Sequence, residues 1–455
     1  MNVSEGNIVA NNTANLNSQF GINLWNSNNN TLINNTANSN NETGIWLNYS
    51  SYNTLTNNTA SSNGEFGVWL RRSPYNTLCG NVMDHNGLVS LAGVQSDAVE
   101  YWNNDIDTSN TINGGPLYYF YGVNDTIIEG LDAKRVIVAG CNNITIRNIN
   151  YSDGDHVTLV FTNNSLVENC TVTNNNAAGF ALVWSHYNRL INNNASYSRG
   201  GFNLQVSTHN NISSNFISNN SEYGVDLRYS SSNNLIYNNY FENTNNALDN
   251  GNNIWNISQT PGTNIIGGSL LGGNYWSDYT GSDNNGDGLG DTMLPYNSSG
   301  GIENGGDWLP LVKPALSIFD TGKGTYPSIM GTHEGTIEPS DNISINKLYT
   351  YPCPGTGGHT ESIELYDNDT LIANGTWNGY QGDWHNITIH NLTGGAPYVT
   401  LLKDHEYRYT IKTGSYPQII HESSKDVTGG TITCTDFEDA NGKTYTDWIP
   451  AIKLY

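Results

Sequence analysis

The stretch NTLINNTA (Asn30–Ala37) returns as NTLTNNTA (Asn53–Ala60), and each copy is preceded and followed by a Gly-apolar-x-Leu run. Asn7, Asn30, Asn53 and Asn76 open units about 23 residues apart, and the spacing resumes at Asn188, Asn211 and Asn234, with Asn143 and Asn164 opening two less regular units between. In GINLW (Gly21–Trp25), GIWLN (Gly44–Asn48) and GVWLR (Gly67–Arg71), Ile22, Leu24, Ile45, Leu47, Val68 and Leu70 fall at matching offsets. They alternate with Asn23, Trp46 and Trp69, the period-two pattern of short strands with one buried face. Val9, Leu32, Leu55, Leu78, Leu166, Leu190 and Ile236 supply a second apolar offset.

A unit this short cannot bury its apolar face alone, so successive units must stack. The pattern predicts an all-β chain built on a right-handed parallel β-helix. Each coil would lie about 4.8 Å above the last, with equivalent side chains in ladders. Asn suits the corners because it tolerates left-handed backbone angles and its amide can bond the next coil's Asn. A leucine-rich repeat would need an L-x-x-L-x-L frame and a helical half, and the sequence has neither.

Composition limits what such a scaffold can do. The chain of 455 residues carries 17 basic and 41 acidic residues, a net charge of -24, which excludes nucleic acid and anionic membrane surfaces as natural partners. No apolar run approaches the roughly 18 residues of a membrane span, and the first residues carry no export signal. Asn makes up roughly a quarter of the first 250 residues and becomes sparse after Pro314. The division expected is a β-helix over 1–271, with irregular coils at about 94–142, a calcium-loop cap over 272–314, and a β-sandwich, possibly immunoglobulin-like, over 315–455. About twenty Asn-x-Ser/Thr sequons, among them Asn34, Asn57, Asn143, Asn211, Asn342 and Asn386, point to an exported, N-glycosylated protein.

Several constellations bear on chemistry. In DNNGDGLGD (Asp283–Asp291), Asp283, Asn285, Asp287 and Asp291 stand at positions one, three, five and nine of an EF-hand-like loop, with Leu294 where a bidentate Glu would stand. A structural calcium site is expected there, the Leu289 carbonyl included. Cys353 and Cys434 share the C-terminal module, and an exported context would allow a disulfide between them; Cys79, Cys141 and Cys170 in the solenoid leave at least one thiol over. Asp153, Asp155 and His156 in SDGDHV are the nearest approach to a catalytic cluster, although Asp-Gly is also an ordinary corner dipeptide. Trp25, Trp46 and Trp69 recur coil by coil and would face outward as a sugar platform or a packing ladder.

YWNNDIDTSNTINGGPLYYFYG (Tyr101–Gly122), the Asn-framed repeats around it, and GGNYWSDYTGSDNNGDGLGDTMLPY (Gly272–Tyr296) resemble NosD-like periplasmic and archaeal surface β-helix proteins over about Asn2–Leu311. Gly114, Gly115 and Pro116 stand where that family commonly has Gly-Lys-Pro. The residues after Pro314 resemble a module of methanogen surface proteins. The resemblance implies either a cell-surface role or, as in the founding members, copper-site maturation of nitrous oxide reductase. Copper needs clustered soft or imidazole ligands, whereas the ten histidines are scattered; only His186 and His209 lie one repeat apart.

The leading expectation is a structural subunit of a surface layer, sheath or filament, extracellular and not an enzyme, binding calcium, cell-surface glycans and copies of itself. Carbohydrate binding or modification and copper maturation are the alternatives. Because repeat phrasing starts so near Met1, with no polar cap, the first coil around Ile8, Val9, Ile22 and Leu24 is expected to meet a neighbouring chain or further upstream residues.

Overall fold

In a computed structural model of the chain, residues 1–92, 98–313, 318–379, 385–393 and 398–455 are described. The expected start of the C-terminal module at 315 falls outside them. Two compact units result, one of Met1–Pro261, Leu270–Asn285 and Leu289–Leu311, the other of Gly262–Ser269, Gly286–Gly288 and Val312–Tyr455.

The first unit is a parallel β-helix of two stacks. In the first stack, Phe20–Trp25, Thr43–Asn48, Phe66–Arg71 and Val89–Ala92 pair in parallel as one sheet. Ile8–Ala10, Thr31–Ile33, Thr54–Thr56, Thr77–Cys79 and Asp105–Ile106 pair as another.

The quoted phrase explains the corners. Asn34 takes a left-handed φ of 54° and is exposed, which turns Asn35 into the interior. The Asn35 side chain then accepts from the Asn12 amide at 3.0 Å and donates to Asn58 Oδ1 at 2.9 Å. Asn58 repeats this with Asn81, and Asn81 with Asn110. Two further ladders run through Asn30, Asn53, Asn76 and Asn104 and through Asn40, Asn63 and Asn86, with a serine ladder at Ser27, Ser50 and Ser73. The stack therefore satisfies its buried corner amides with side chains as well as strand pairing.

A second stack follows the irregular segment. Its broad sheet runs Gly115–Tyr121, Arg135–Ala139, Val157–Val160, Ala178–Val183, Gly200–Gln205 and Tyr223–Tyr229. Inward-facing Val138, Leu159, Phe180, Phe202 and Val225 form its core. The outward residues Ile137, Ala139 and Val160 are buried as well, in one cluster with Leu91, Trp102 and Leu117. This strand region is covered on both faces, which accounts for the unbroken apolar run RVIVA.

Here the register corrects the sequence reading by one residue. The ladder runs Asn188 to Asn210 to Asn234, not through Asn211, and Ser165 and Ile144 stand where Asn164 and Asn143 were expected. Likewise Val167, not Leu166, aligns with Leu190, and Leu166 pairs with Arg189. Coils of 21, 22 and 24 residues shift which Asn turns inward. Cys141 and Cys170 are buried thiols occupying a Ser/Thr and an Asn ladder position, respectively, while Cys79 is half-buried.

The last coil is closed by Phe241, Trp255, Trp276 and Tyr296, with Phe241 stacked on Trp276 at 4.6 Å. Two buried aspartates hold the indoles: Asp249 accepts from Trp255 Nε1 at 3.1 Å and Asp307 from Trp276 Nε1 at 2.8 Å. Gly273 must be glycine, since a Cβ there would meet the Asp307 carboxylate at 1.8 Å.

The second unit is a β-sandwich. An antiparallel sheet containing Gly331–Pro339, His359–Asp367, Thr370–Thr376 and Tyr407–Gly414 faces one containing Phe319–Asp320, Lys347–Thr350 and Ile452–Leu454. Ile337, Leu348, Ile363, Tyr409 and Leu454 lie in the shared core. The expected Cys353–Cys434 disulfide is absent: both thiols are free. Cys353 Sγ contacts Ser328 Oγ at 2.9 Å, whereas the Cys434 amide bonds Ser423 O and its thiol lies in the sandwich core. Sharing a module did not bring the two thiols together.

Candidate functional site

The outward face of the broad sheet carries the charged side chains that the scaffold does not need. Where the first stack stops covering that sheet, a cavity of about 300 Å³ opens. Phe66, Leu88, Val89 and Trp102 form one wall; Arg135, His156, Thr158, Ala181, Asn203, Asp226 and Arg228 come from successive coils of the second stack. Thr158, Ala181, Asn203 and Asp226 align in register, so the floor is one column of side chains running along the solenoid.

The charges are arranged in pairs. Arg228 reaches Asp226 through Nε at 3.1 Å and Nη2 at 2.9 Å. Arg199 pairs with Glu222 at 2.8 Å, and the buried Arg135 stands 3.7 Å from the buried Asp155. Burial, reinforced by Arg135, pushes the His156 imidazole well below its ordinary pKa, so it is neutral at neutral pH. Burial also pushes the Tyr223 hydroxyl up to about 12. Asn203 Nδ2 donates to that hydroxyl at 3.4 Å.

Of the three candidate residues, His156 lines this cavity and Asp155 stands beside the lining Arg135, but Asp153 is not among the lining residues. Its carboxylate is exposed and accepts from Asn113 at 3.2 Å, because its left-handed φ of 55° turns it out at the corner. The three residues therefore form no catalytic cluster. Arg135, Arg199, Glu222, Tyr223, Asp226 and Arg228 were missed. For two of them the signal was present: GVDLRY (Gly224–Tyr229) has Asp226 and Arg228 alternating with the core residues Val225 and Leu227.

An aromatic strip leads to the cavity. Trp46 stacks on Trp69 at 5.3 Å, Trp69 contacts Phe66 at 5.0 Å, and Phe66 lines the cavity wall. Trp25 is out of column: Asn23 pairs with Trp46, and Trp25 pairs with Asn48, touching Trp46 edge-on at 5.9 Å.

In the loop Asp283–Asp291, Asp291 Oδ2 accepts from the Asn284 amide at 2.8 Å. Among the described residues no group of three His, Cys, Asp or Glu side chains is placed to hold a metal ion. The same finding bears on copper. His186 Nδ1 and His209 Nδ1 both bond the Thr208 hydroxyl, at 2.9 Å and 3.0 Å, and the His209 ring stacks on Tyr187 at 4.9 Å.

Of the sequon residues, Asn34, Asn57, Asn143 and Asn342 are exposed, whereas Asn211 and Asn386 are half-buried, the latter accepting from Tyr455 Oη at 2.6 Å. In the first coil, Ile8 is exposed and Val9 and Ile22 are half-buried, but Leu24 is buried in the core and cannot serve as an assembly contact.

These features define a parallel β-helix with a paired-charge cavity on the outer face of its broad sheet. A family model described as "periplasmic copper-binding protein (NosD)" matches residues 1–122 and 119–281, more than half of the chain, and the chain belongs to that family. No match is found among curated proteins. Among solved structures, the chain is similar to the tailspike protein gp49 of Acinetobacter baumannii bacteriophage Fri1, a capsular polysaccharide depolymerase, at 9% identity and a TM-score of 0.19. That alignment covers 91% of this chain, which spans 65% of the tailspike. A mannuronic acid specific polysaccharide family 6 lyase from human gut microbiota gives 9% identity and a TM-score of 0.19, over 56% of this chain and 78% of the lyase. ORF18 of Geobacillus virus E2 gives 11% and 0.25, over 97% and 77%. No helix among the described residues is long and apolar enough to cross a membrane.

Proposed function

We propose that this protein is an extracytoplasmic carbohydrate-binding β-helix whose ligand lies in the cavity between Phe66 and Tyr223. The observation that carries the reading is the cavity itself: aromatic walls, a floor of aligned side chains and hydrogen-bonding groups at its rim, continuous with the Trp46–Trp69 strip. Sugars are recognised by this combination of apolar ring faces and oriented polar groups. The carboxylates favour binding over hydrolysis. Asp226, Glu222 and Asp155 each face an arginine, and a glycosidase needs two carboxylates free to act as acid and base or nucleophile.

Titration with neutral and acidic oligosaccharides, followed by tryptophan fluorescence, tests the reading. Phe66→Ala and Tyr223→Ala are each expected to weaken the binding seen in the wild type about fivefold to tenfold, in line with the loss of an aromatic contact. Unchanged affinity in both variants, with folding intact, would remove the cavity from consideration.

A role in a surface layer, sheath or filament is the second reading. Exposed Asn34, Asn57, Asn143 and Asn342 suit an N-glycosylated surface. In both readings the loop Asp283–Asp291 binds structural calcium through Asp283, Asn285, Asp287, Asp291 and the Leu289 carbonyl, drawn together by the ion. Sedimentation and thermal melting in calcium against chelator check both points. Calcium is expected to raise the melting temperature by several degrees, an effect that Asp287→Ala abolishes. A monomer at high concentration in both buffers would discard assembly, and identical melting curves would discard calcium.

A further inference from the structure

Arg135 is a costly residue to place where it lies. Its side chain is 3% exposed, and burial lowers its pKa, yet its Nε and Nη1 have no hydrogen-bond acceptor. Asp155 Oδ2 stands 3.7 Å from Nη1, near enough to balance the charge but too far to accept a hydrogen bond. Two more polar atoms in the same wall are also buried without partners, His156 Nδ1 and Thr158 Oγ1. Arg135 and His156 come from adjacent coils whose strands pair from Val136 and Val157 onward, and Thr158 lies two residues beyond His156. All three residues line the cavity.

Buried donors left unpaired are costly, more so when charged, unless a ligand completes them. A guanidinium, an imidazole and a hydroxyl on one wall form a donor-rich set. Neutral sugar hydroxyls would satisfy it only in part. A carboxylate brings two acceptor oxygens and a charge that complements the guanidinium.

We propose that this wall binds the carboxylate of an acidic sugar, a uronate residue of the saccharide occupying the cavity, with Arg135 as its principal partner and His156 and Thr158 as the flanking donors. The inference rests on the carbohydrate-binding reading and narrows its ligand class. Asp226–Arg228 and Arg199–Glu222, already closed as pairs, line the rest of the cavity and face the neutral parts of the ligand.

The test compares trigalacturonate, trimannuronate and triglucuronate with the same trisaccharides after reduction of their carboxyl groups, by calorimetry on the full chain. At least one acidic form is expected to bind about tenfold or more tightly than its reduced counterpart, as a charge-assisted hydrogen bond gives. Arg135→Gln is expected to bring that ratio to about one, because it weakens the acidic form far more than the reduced form. If Arg135→Gln fails to fold, Thr158→Val decides, with the ratio expected to fall about threefold. Equal binding of acidic and reduced forms by the wild type would overturn the uronate assignment and leave the saccharide reading intact. A ratio unchanged in the deciding variant would overturn the assignment of the carboxylate to this wall. Binding of neither form would overturn both.

Discussion

Replacing Asn58 with alanine is expected to destabilise the first stack by about 3–5 kcal/mol, through several buried groups that would each lose a partner. Asn58 Oδ1 accepts from the Asn35 amide at 3.0 Å and from Asn35 Nδ2 at 2.9 Å, and its Nδ2 donates to Leu32 O at 2.9 Å and Asn81 Oδ1 at 3.0 Å. All of these groups lie inside the solenoid, where water does not replace the missing amide. Neighbouring Asn57 has the same side chain in the same phrase, but it is exposed. Asn57→Asp, which keeps a side chain tolerant of the left-handed corner, is expected to change stability by about 0.5 kcal/mol or less. Urea unfolding of the two variants checks the contrast. A loss below about 1 kcal/mol for Asn58→Ala would mean that strand pairing alone holds the coils.

Asp307 should make stability fall as pH rises. It is fully buried, and burial outweighs the N–H groups of Asn274, Trp276 and Leu309 that favour its charge, raising its pKa from the ordinary 3.8 to about 7. A carboxyl whose folded pKa exceeds its unfolded one stabilises fully below about pH 4, and that contribution is lost as pH rises towards 7. The shift corresponds to about 4 kcal/mol, to order of magnitude. Asp307→Asn removes the titration, although its amide must face one N–H donor and so is expected to cost about 1–2 kcal/mol at pH 4. Thermal melts of both proteins from pH 4 to 8 give the answer as a difference. The wild-type advantage is expected to shrink and reverse between pH 4 and 7; parallel curves would show that Asp307 does not titrate in this range.

The solenoid was legible in the sequence because its determinant is periodic. A buried Asn every 23 residues and an alternating strand between are statements about neighbours in the chain, and stacking follows from them. What failed was direction at single residues. Asn210 and Asn211 have the same side chain, and which one enters the ladder depends on coil length, which the phrase does not encode. Trp25 slipped out of the Trp46–Trp69 column in the same way, by two residues. The cavity was harder to see because its residues lie in separate coils and meet only after stacking. Arg135 and Asp226 each stand beside apolar neighbours that belong to the core, with nothing local linking them. The cysteine pair shows the opposite error, a shared module taken as proximity.

The cavity's role as a saccharide site is open to direct observation. A crystal structure of the full chain grown with a saturating acidic trisaccharide tests that most directly. The prediction is a sugar lying along Thr158, Ala181 and Asn203, between Phe66 and Tyr223, with its carboxylate on Arg135. A sugar bound elsewhere on the solenoid while this cavity holds only solvent would contradict it.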